Sequence, residues 1–479
     1  MSCISSTYIP EPELRFNLHQ TSQHPKDGLF LFGPVMPTDA KEIRVGAIGS
    51  KVGLERAARW MKRVSSFIPA YSSRLHHSPF PGVDAAFGIS WQDVPSHTVE
   101  LPVGELERRI RYDDPHRRVF DAVDLVVREL KSFEDRNDTV PDLWLVVLPE
   151  LVSKYGRPLA KVPRRERVTA PDRLGKATAD RLAESYVLFD DLEESREPYL
   201  YEVNFHNQLK ARLLDRRIIT QIVRETTLTP EDFLVNGYAV RRLQDPATTA
   251  WNLVTTLYYK TAGPPWRLAE VREHVCYIGL VFKVDANRPA HERVCCGAQM
   301  FLATGEGVVF RGHLGPWEGD RPGTHHLDRE TARQIIHEVV QSYVVENKRP
   351  PSELFIHGKT RFNRDEWQGF EEGAVGVGRL TAVQIQKSRD IKAYRDRTYD
   401  SPGILPVLRG SAIMTSDRDA YLWTNGYVAR FSNYIGWEVP SPLKVSIHRG
   451  DADLNIVLRD VLALTKLNFN ACIFGDAYR

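Results

Sequence analysis

The stretch FHNQLKARLLDRRIITQ, residues 205–221, joins a short helical pattern to the start of an apolar run. His206 and Lys210 are four residues apart, so on a helix their side chains point to the same side. The following run, RRIITQIV (216–223), predicts a strand with Gln221 toward its carboxyl end. A helix that leads directly into a strand is typical of an α/β fold.

Similar units surround this stretch. Apolar runs predict further strands at 28–34, 43–50, 83–91, 143–149 and 185–190. Helical spacing of apolar residues predicts helices at 52–68, at 114–133 after an Asp-Pro cap, and at 245–260, which begins at Asp245 and ends at Lys260. Strands that alternate with helices predict a mainly parallel, doubly wound sheet, where ligands bind beyond the carboxyl ends of strands.

The pattern changes after TAGPPW (261–266), and we place a domain boundary within 262–270. Strands are predicted at 276–284, 295–312 (as a hairpin) and 353–362, with a helix at 328–347. A chain of 479 residues is too long for one ordinary core, which also predicts two or three domains.

Composition narrows the class of protein. The five cysteines are scattered, which predicts reduced thiols rather than a disulfide framework or a zinc site. No apolar run approaches the roughly 20 residues of a membrane helix, and no signal sequence precedes the first strand, so we expect a cytoplasmic protein without a membrane partner. A net charge of +2 argues against a uniformly basic nucleic-acid coat. The basic segment 154–176 is either a solvated loop or a contact for a polyanion.

His206, Lys210, Gln221 and Lys260 are the candidate site residues. Together they could bind one anion, because a phosphate needs several N–H donors and at least one cation. Spacing alone does not show that they converge, and an ordinary exposed helix face is the alternative interpretation of His206 and Lys210.

The motifs around these residues resemble those of a known family. HNQLK (206–210), TQIVRETTL (220–228) and LYYKTAGPPW (257–266) resemble the MID domain of Argonaute proteins. The remaining motifs, which resemble short prokaryotic Argonautes, are PKDGLFLFGP, VCYIGLVFKV, GAQMFLATGEG, ELFIHGKTRFNRDEW and LTKLNFNACIFGD. The resemblance covers nearly the whole chain. It implies an N-terminal segment plus Rossmann-like MID domain at 1–265, a ribonuclease H-like PIWI domain at 266–479, and no N or PAZ domain.

The resemblance also implies a role for each candidate residue. His206, Lys210, Gln221 and Lys260 become the pocket for the 5′-phosphate of a guide strand, with Mg²⁺ as cofactor. In the family the C-terminal carboxylate often helps to hold this ion. This chain stops at GDAYR, where relatives continue, which leaves open whether it is truncated after Arg479, and we assume no metal contribution from that residue.

The PIWI half departs from the pattern of active guided nucleases, which hold two metal ions with carboxylates. The first strand offers Leu280, Val281 and Phe282 where active relatives have Asp, and the strand at 353–362 offers residues 357–360, His-Gly-Lys-Thr. We therefore expect no catalytic residues and no cleavage by this chain. Lys359 could contact a backbone phosphate, or it is an ordinary surface lysine.

A basic cluster, KSRDIKAYRDR (387–397), follows in the PIWI half. Lys387 and Lys392 within it could line a nucleic-acid backbone, or the cluster is a solvated turn.

For short Argonautes the resemblance implies guide RNA, target single-stranded DNA and a partner protein. That partner carries an APAZ region fused to an effector, which is a TIR or sirtuin-type NAD hydrolase or a nuclease. Target pairing would activate the effector in antiviral defence by NAD depletion and abortive infection, with a higher oligomer as one outcome. Two alternatives remain open: a guided endonuclease with a displaced cluster that includes Asp365 or Asp451, and a structural subunit that binds no guide.

Overall fold

The computed structural model of the protein describes most of the chain. The described residues are 4–36, 41–71, 75–171, 174–183, 190–236, 238–239, 244–270, 272–284, 294–302, 307–310, 314–315, 325–395, 405–434, 436 and 438–475. No helix in these ranges combines the length and the apolar character needed to cross a membrane.

The α-helices are distributed along the whole chain. They are α1 (Pro25–Phe32), α2 (Lys51–Val64), α3 (Val83–Phe87), α4 (Val103–Arg109), α5 (Pro115–Arg136), α6 (Glu150–Tyr155), α7 (Lys176–Ala183), α8 (Asp190–Leu200), α9 (Phe205–Arg212), α10 (Glu225–Leu228), α11 (Pro246–Ala262), α12 (Arg329–Asn347), α13 (Arg364–Gly373) and α14 (Leu454–Leu464).

The strands form two main sheets and several short ladders. They are β1 (Ser5–Tyr8), β2 (Leu14–Arg15), β3 (Thr21–Ser22), β4 (Lys41–Glu42), β5 (Val45–Gly49), β6 (Ile89–Ser90), β7 (His97–Glu100), β8 (Leu143–Leu148), β9 (Thr220–Arg224), β10 (Leu234–Val235), β11 (Tyr238–Ala239), β12 (Arg267–Leu268), β13 (Val275–Val284), β14 (Val294–Leu302), β15 (Gly307–Phe310), β16 (Leu314–Gly315), β17 (Glu353–Gly358), β18 (Arg379–Lys387), β19 (Tyr394–Arg395), β20 (Leu405–Pro406), β21 (Ser411–Met414), β22 (Asp419–Leu422) and β23 (Leu443–Arg449).

The first lobe is a parallel sheet covered by helices on both faces. Its strand order is β7-β5-β8-β9, and every pairing in it is parallel. Side chains alternate along β8, so Leu145 and Val147 face a core built with α2 and α11. Trp144 and Val146 face the opposite core, built with α5 and α9. The doubly wound sheet predicted from the sequence is confirmed.

The second lobe is a larger mixed sheet. Within the described residues its strand order is β1-β21-β22-β23-β18-β17-β13-β14-β15, with β16 also paired to β14. β13, β17 and β18 run parallel, whereas β14 and β15 continue antiparallel from β13. α12 and α13 pack on one face of this sheet, and α14 packs on the other.

Both ends of the chain connect the lobes. β1 pairs with β21, so the N-terminal segment extends the second sheet. After α14 the chain returns to the first lobe, where Leu467, Phe469 and Cys472 join the core beside α11. The indole of Trp266 donates a 3.0 Å hydrogen bond to the carbonyl of Lys466. The domain boundary at 265/266 stays a prediction. β1 belongs to the second sheet although it precedes this boundary in the sequence.

Two predicted strands are wrong. Residues 28–34 belong largely to α1, because the His24 ring accepts from the Lys26 amide and Pro25 occupies the first turn, which starts a helix that Gly33 ends. Residues 83–91 form α3 and the short β6, separated by Gly88 in the left-handed conformation. The strand predicted at 185–190 lies, except for its last residue, outside the described residues.

Candidate functional site

α9 presents two of the candidate residues to solvent. Asn204 caps the helix by accepting from the amide of Asn207 at 3.2 Å. Phe205 and Leu209 point into the core between α5 and the sheet. His206 and Lys210, each one position later, therefore lie together on the exposed side of the helix, as the spacing predicts.

Gln221 is the second residue of β9, so its predicted place toward the carboxyl end of a strand is wrong. α9 ends at Arg212 and a turn continues to residue 217, which delays the strand by several residues. Gln221 pairs in register with Leu145 of β8. It lies on the outermost strand of the first sheet as described, and this edge, not the carboxyl end of the sheet, positions the site.

Lys260 reaches the same edge from the last turn of α11. Its Nζ donates to the carbonyl of Thr220 and to Oε1 of Gln221, each at 2.7 Å. Because an ammonium group only donates, the amide of Gln221 must turn its oxygen toward Lys260 and keep its Nε2 donor on the other side. One hydrogen of that donor goes to the carbonyl of Ile222 at 3.2 Å, which leaves the second for a ligand.

The electrostatics of these residues favour an anion. Burial, Lys210 and Lys260 all lower the pKa of His206. Burial and then Lys210 lower the pKa of Lys260 to about 8. Burial also lowers the pKa of Lys210, whose ammonium has no ion pair within the described ranges. Groups from α9 and α11, which lie on opposite faces of the sheet, thus meet around its edge, where a bound anion would relieve their mutual repulsion.

The carboxylate that adjoins this cluster is already engaged. Glu202 accepts from Lys283 at 2.6 Å and from Nδ2 of Asn207 at 3.0 Å. Burial raises the pKa of Glu202, but these two hydrogen bonds and the charge of Lys283 together outweigh burial and lower the pKa below its usual value. Glu202 therefore stays ionised beside the cations without neutralising Lys210 or Lys260.

A magnesium ion at this site would need oxygen ligands. The described side chains of the site are two ammonium groups, an imidazole and an amide whose oxygen accepts from Lys260. Together with the engaged carboxylate of Glu202, they do not fit a magnesium ion by themselves. Arg479 lies outside the described residues, and the ion stays a prediction.

Comparison with solved structures identifies the fold. Clostridium butyricum Argonaute, bound to a guide DNA and a 19-mer target DNA, matches with a TM-score of 0.62 and 14% identity over 98% of this chain. Marinitoga piezophila Argonaute, in complex with a 5′ OH guide RNA, matches with a TM-score of 0.51 and 12% identity over 98% of this chain. The chain has the Argonaute fold. Its two lobes are consistent with MID and PIWI domains.

This similarity is one of fold. The chain spans 50% of the C. butyricum Argonaute chain and 55% of the M. piezophila Argonaute chain. No family model and no curated protein matches the sequence.

The residues that the resemblance places at the catalytic positions of active nucleases lie on β13 and along or just after β17 in the second sheet. Along β13, Leu280 is buried under α12 and α13, whereas Val281 points to the other face and is 63% exposed. On β17, His357 lies in register with Gly279, and burial lowers its pKa to about 4. Lys359, two residues later, is exposed. Within the described residues, no three His, Cys, Asp or Glu side chains are arranged to hold a metal ion.

The carboxylates of the alternative cluster have other surroundings. Glu366 is fully buried and forms a capping box with Asn363 at the start of α13. It also accepts from the amide of Leu327 at 2.9 Å. Asp365 beside it is exposed, and so is Asp451 in the loop before α14. Glu366 thus serves as a helix cap rather than as a member of an exposed carboxylate cluster.

The predicted backbone contacts lie near the carboxyl ends of β17 and β18. The carbonyl of Lys359 accepts from Gln384 and Gln386 at 3.2 and 3.0 Å, and its side chain is exposed. Lys387 ends β18 and is exposed. Lys392 instead donates to the carbonyl of Val439 at 3.1 Å, so its ammonium is held by the protein.

A cavity of about 910 Å³ lies between the two lobes and the C-terminal segment. Its polar lining consists largely of amides and one imidazole: Gln244, Asn252, Gln299, Asn468, Asn470 and His357. Neutral amides of this kind hydrogen-bond to nucleobase edges as well as to other polar groups. Neither this lining nor Glu202 and Asn207 is recognisable from sequence spacing, since the residues come from distant segments.

Proposed function

We propose that this chain binds the 5′-phosphorylated end of a short guide strand and displays that strand for pairing with a target. The observation that carries the proposal is the convergence of His206, Lys210, Gln221 and Lys260 at one strand edge of an Argonaute fold. A terminal phosphate carries more negative charge than an internal one, so several convergent donors can fix the end and the register of the strand. Sequence specificity then belongs to the guide, while the protein contacts backbone and shape.

We take the guide to be RNA and the target to be single-stranded DNA. The amide-lined cavity between the lobes supports a path for the strand beyond the pocket, because its described side chains offer hydrogen bonds without a carboxylate that would repel phosphates. Solved Argonautes of this fold hold either guide DNA or guide RNA, so the test below identifies the sugar of the guide bound to this chain.

We further propose that the PIWI-like lobe does not cut the target. Val281 and Lys359 support this, because neither side chain can ligate a divalent cation. The reaction would then belong to a partner chain with an APAZ region fused to a TIR, sirtuin-type or nuclease effector. Binding of guide and target would bias a conformational equilibrium of this cytoplasmic defence complex and activate the partner.

The deciding experiment is to co-purify the chain with its neighbouring gene product and label the 5′ ends of the extracted nucleic acid. We expect short RNA that accepts label only after phosphatase treatment and is lost from the Lys210→Ala, Lys260→Ala double variant. The matched control is Lys51→Ala, Lys62→Ala, which removes two exposed lysines of α2. A pocket variant that keeps its RNA, or a wild type without any, would contradict the proposal. Loss of NAD on addition of target DNA would test the effector.

A further inference from the structure

A chain of hydrogen bonds leads from the second lobe to the pocket histidine. Lys283 of β13 donates to Oε2 of Glu202 at 2.6 Å. The same oxygen accepts from Nδ2 of Asn207 at 3.0 Å. Oδ1 of Asn207 then lies 3.3 Å from Nδ1 of His206. Lys283, Glu202 and Asn207 are additional to the pocket residues named above.

The carboxylate at the centre of this chain determines where the histidine carries its proton. An ionised carboxylate only accepts hydrogen bonds, so Asn207 must turn its NH₂ group toward Glu202 and its oxygen toward His206. That oxygen also only accepts, so Nδ1 of His206 must be the donor. A neutral His206 therefore has a bare lone pair on Nε2.

The charged groups around His206 come from α9, α11, β13 and the segment before α9. Lys210 faces it from α9 itself and Lys260 from α11, and both lower its pKa after the effect of burial. Glu202, in the segment before α9, acts on it through Asn207, and Lys283 of β13 holds Glu202. In the part of the chain that the structure describes, Nε2 has no hydrogen-bond partner.

We propose that Glu202 and Asn207 are positioning residues that hold His206 with its proton on Nδ1, so that a 5′-phosphate binds together with one additional proton on Nε2. The inference rests on the guide-binding function proposed above. A phosphate oxygen is repelled by the lone pair of a neutral Nε2 and is bound by the N–H of the protonated ring. A 5′-hydroxyl can instead donate to the lone pair, so a guide without phosphate binds with no proton uptake at this residue.

The test counts protons. Binding of two guides of one sequence, 5′-phosphorylated and 5′-hydroxyl, is measured by calorimetry at pH 7 in buffers that differ in ionisation enthalpy, with the full chain stripped of nucleic acid. The phosphorylated guide is expected to take up close to one proton more than the hydroxyl guide. Because one proton is linked to binding, the ratio of the affinity for the phosphorylated guide to that for the hydroxyl guide should fall by up to about tenfold for each unit of rising pH. The guide phosphate itself has a second pKa near 6 and releases protons on binding, which is opposite in sign to the uptake expected at His206.

Three variants separate the roles. His206→Gln, which keeps a neutral donor, is expected to lose the extra proton. Glu202→Gln lets the amide of Asn207 flip and the histidine change tautomer, so proton uptake drops while the phosphorylated guide still binds. Asn207→Ala removes the same constraint by another route and serves if Glu202→Gln does not fold.

The outcomes are distinct. Equal proton uptake by wild type and His206→Gln overturns the inference, and unchanged uptake in both Glu202→Gln and Asn207→Ala overturns the positioning role. Tight binding of the phosphorylated guide with no extra proton leaves the proposed function intact while overturning the inference. A wild type that prefers neither guide at any pH overturns both.

Discussion

Nζ of Lys260 lies 2.7 Å from Oε1 of Gln221, although one residue lies in the last turn of a helix and the other near the start of a strand 39 positions earlier. The contact fixes the amide before any ligand arrives, because only one orientation gives the ammonium an acceptor. The Nε2 donor of Gln221 is thereby preorganised, and less conformational freedom is lost when an anion binds. Lys260 thus acts both as a cation and as the residue that orients its neighbour.

Replacing Gln221 by Glu should weaken binding of a 5′-phosphorylated guide by at least about tenfold, which corresponds to about 1.4 kcal/mol. The substitution exchanges an N–H donor for a carboxylate of similar shape, which pairs with Lys260 and repels the phosphate. The measurement is the dissociation constant of a labelled guide at fixed ionic strength. A 5′-hydroxyl guide is the control and should lose less affinity, so an equal loss for both guides would contradict a phosphate contact.

The chain should not cleave a target that matches its guide, in either Mg²⁺ or Mn²⁺. Val281 supplies no ligand on β13, and the ammonium of Lys359 would repel a cation at the adjacent strand. The measurement is the appearance of a product from labelled target DNA over time. The Lys210→Ala, Lys260→Ala variant is the control for a contaminating nuclease. Product that forms with the wild type but not with this variant, and only when guide is present, would show that the chain cuts.

Local sequence signals predicted the elements that carry the pocket. Asp245 and Pro246 mark the start of α11, and the spacing of His206 and Lys210 gives their common face on α9. Such signals act within one or two turns, so they can be read without the fold. Gln221 was misplaced because the length of the turn after α9 depends on how the helix packs, which the local pattern does not contain.

Contacts between residues far apart in the chain could not be predicted from local sequence patterns. Glu202 and Lys283 are 81 positions apart and belong to different lobes, so nothing in either neighbourhood predicts their ion pair. The misassigned segment of α1 shows the same limit on a smaller scale. Its apolar run fits a strand as well as a helix, and the capping ring of His24 decides between them.

Gly369 should not tolerate a side chain. A Cβ at this position of α13 would lie 2.3 Å from the carbonyl of Arg329 on α12, so the two helices would have to move apart. We expect Gly369→Ala to destabilise the protein by about 1–3 kcal/mol, in the range of overpacked cores. Thermal unfolding measures the effect. The control is Gly104→Ala in α4, where no atom lies within 4 Å and stability should stay equal or rise slightly.

Lys466 should make the stability of the protein depend on pH in the alkaline range. It is buried, and its Nζ lies 2.5 Å from Oε1 of Glu11, whose other oxygen accepts from Arg409 at 2.9 Å. One carboxylate therefore serves two buried cations. Burial, and to a smaller extent Arg409, lower the pKa of Lys466 to about 7, although Glu11 acts in the opposite direction.

The sign follows from proton counts. Between pH 7 and the usual lysine pKa of about 10.4, Lys466 carries a proton in the unfolded chain that it has released in the folded chain. The contribution of Lys466 to the free energy of unfolding therefore increases as the pH rises. Relative to Lys466→Met, the urea midpoint of the wild type should therefore increase from pH 6.5 to pH 9. At pH 6.5 the variant should equal or exceed the wild type, since Glu11 keeps Arg409 while one buried charge is removed. If the difference in urea midpoint between wild type and Lys466→Met stays constant across this pH range, Lys466 remains charged in the folded protein. The Glu11→Gln variant, expected to lose about 3 kcal/mol or more of stability, would then measure the ion pair directly.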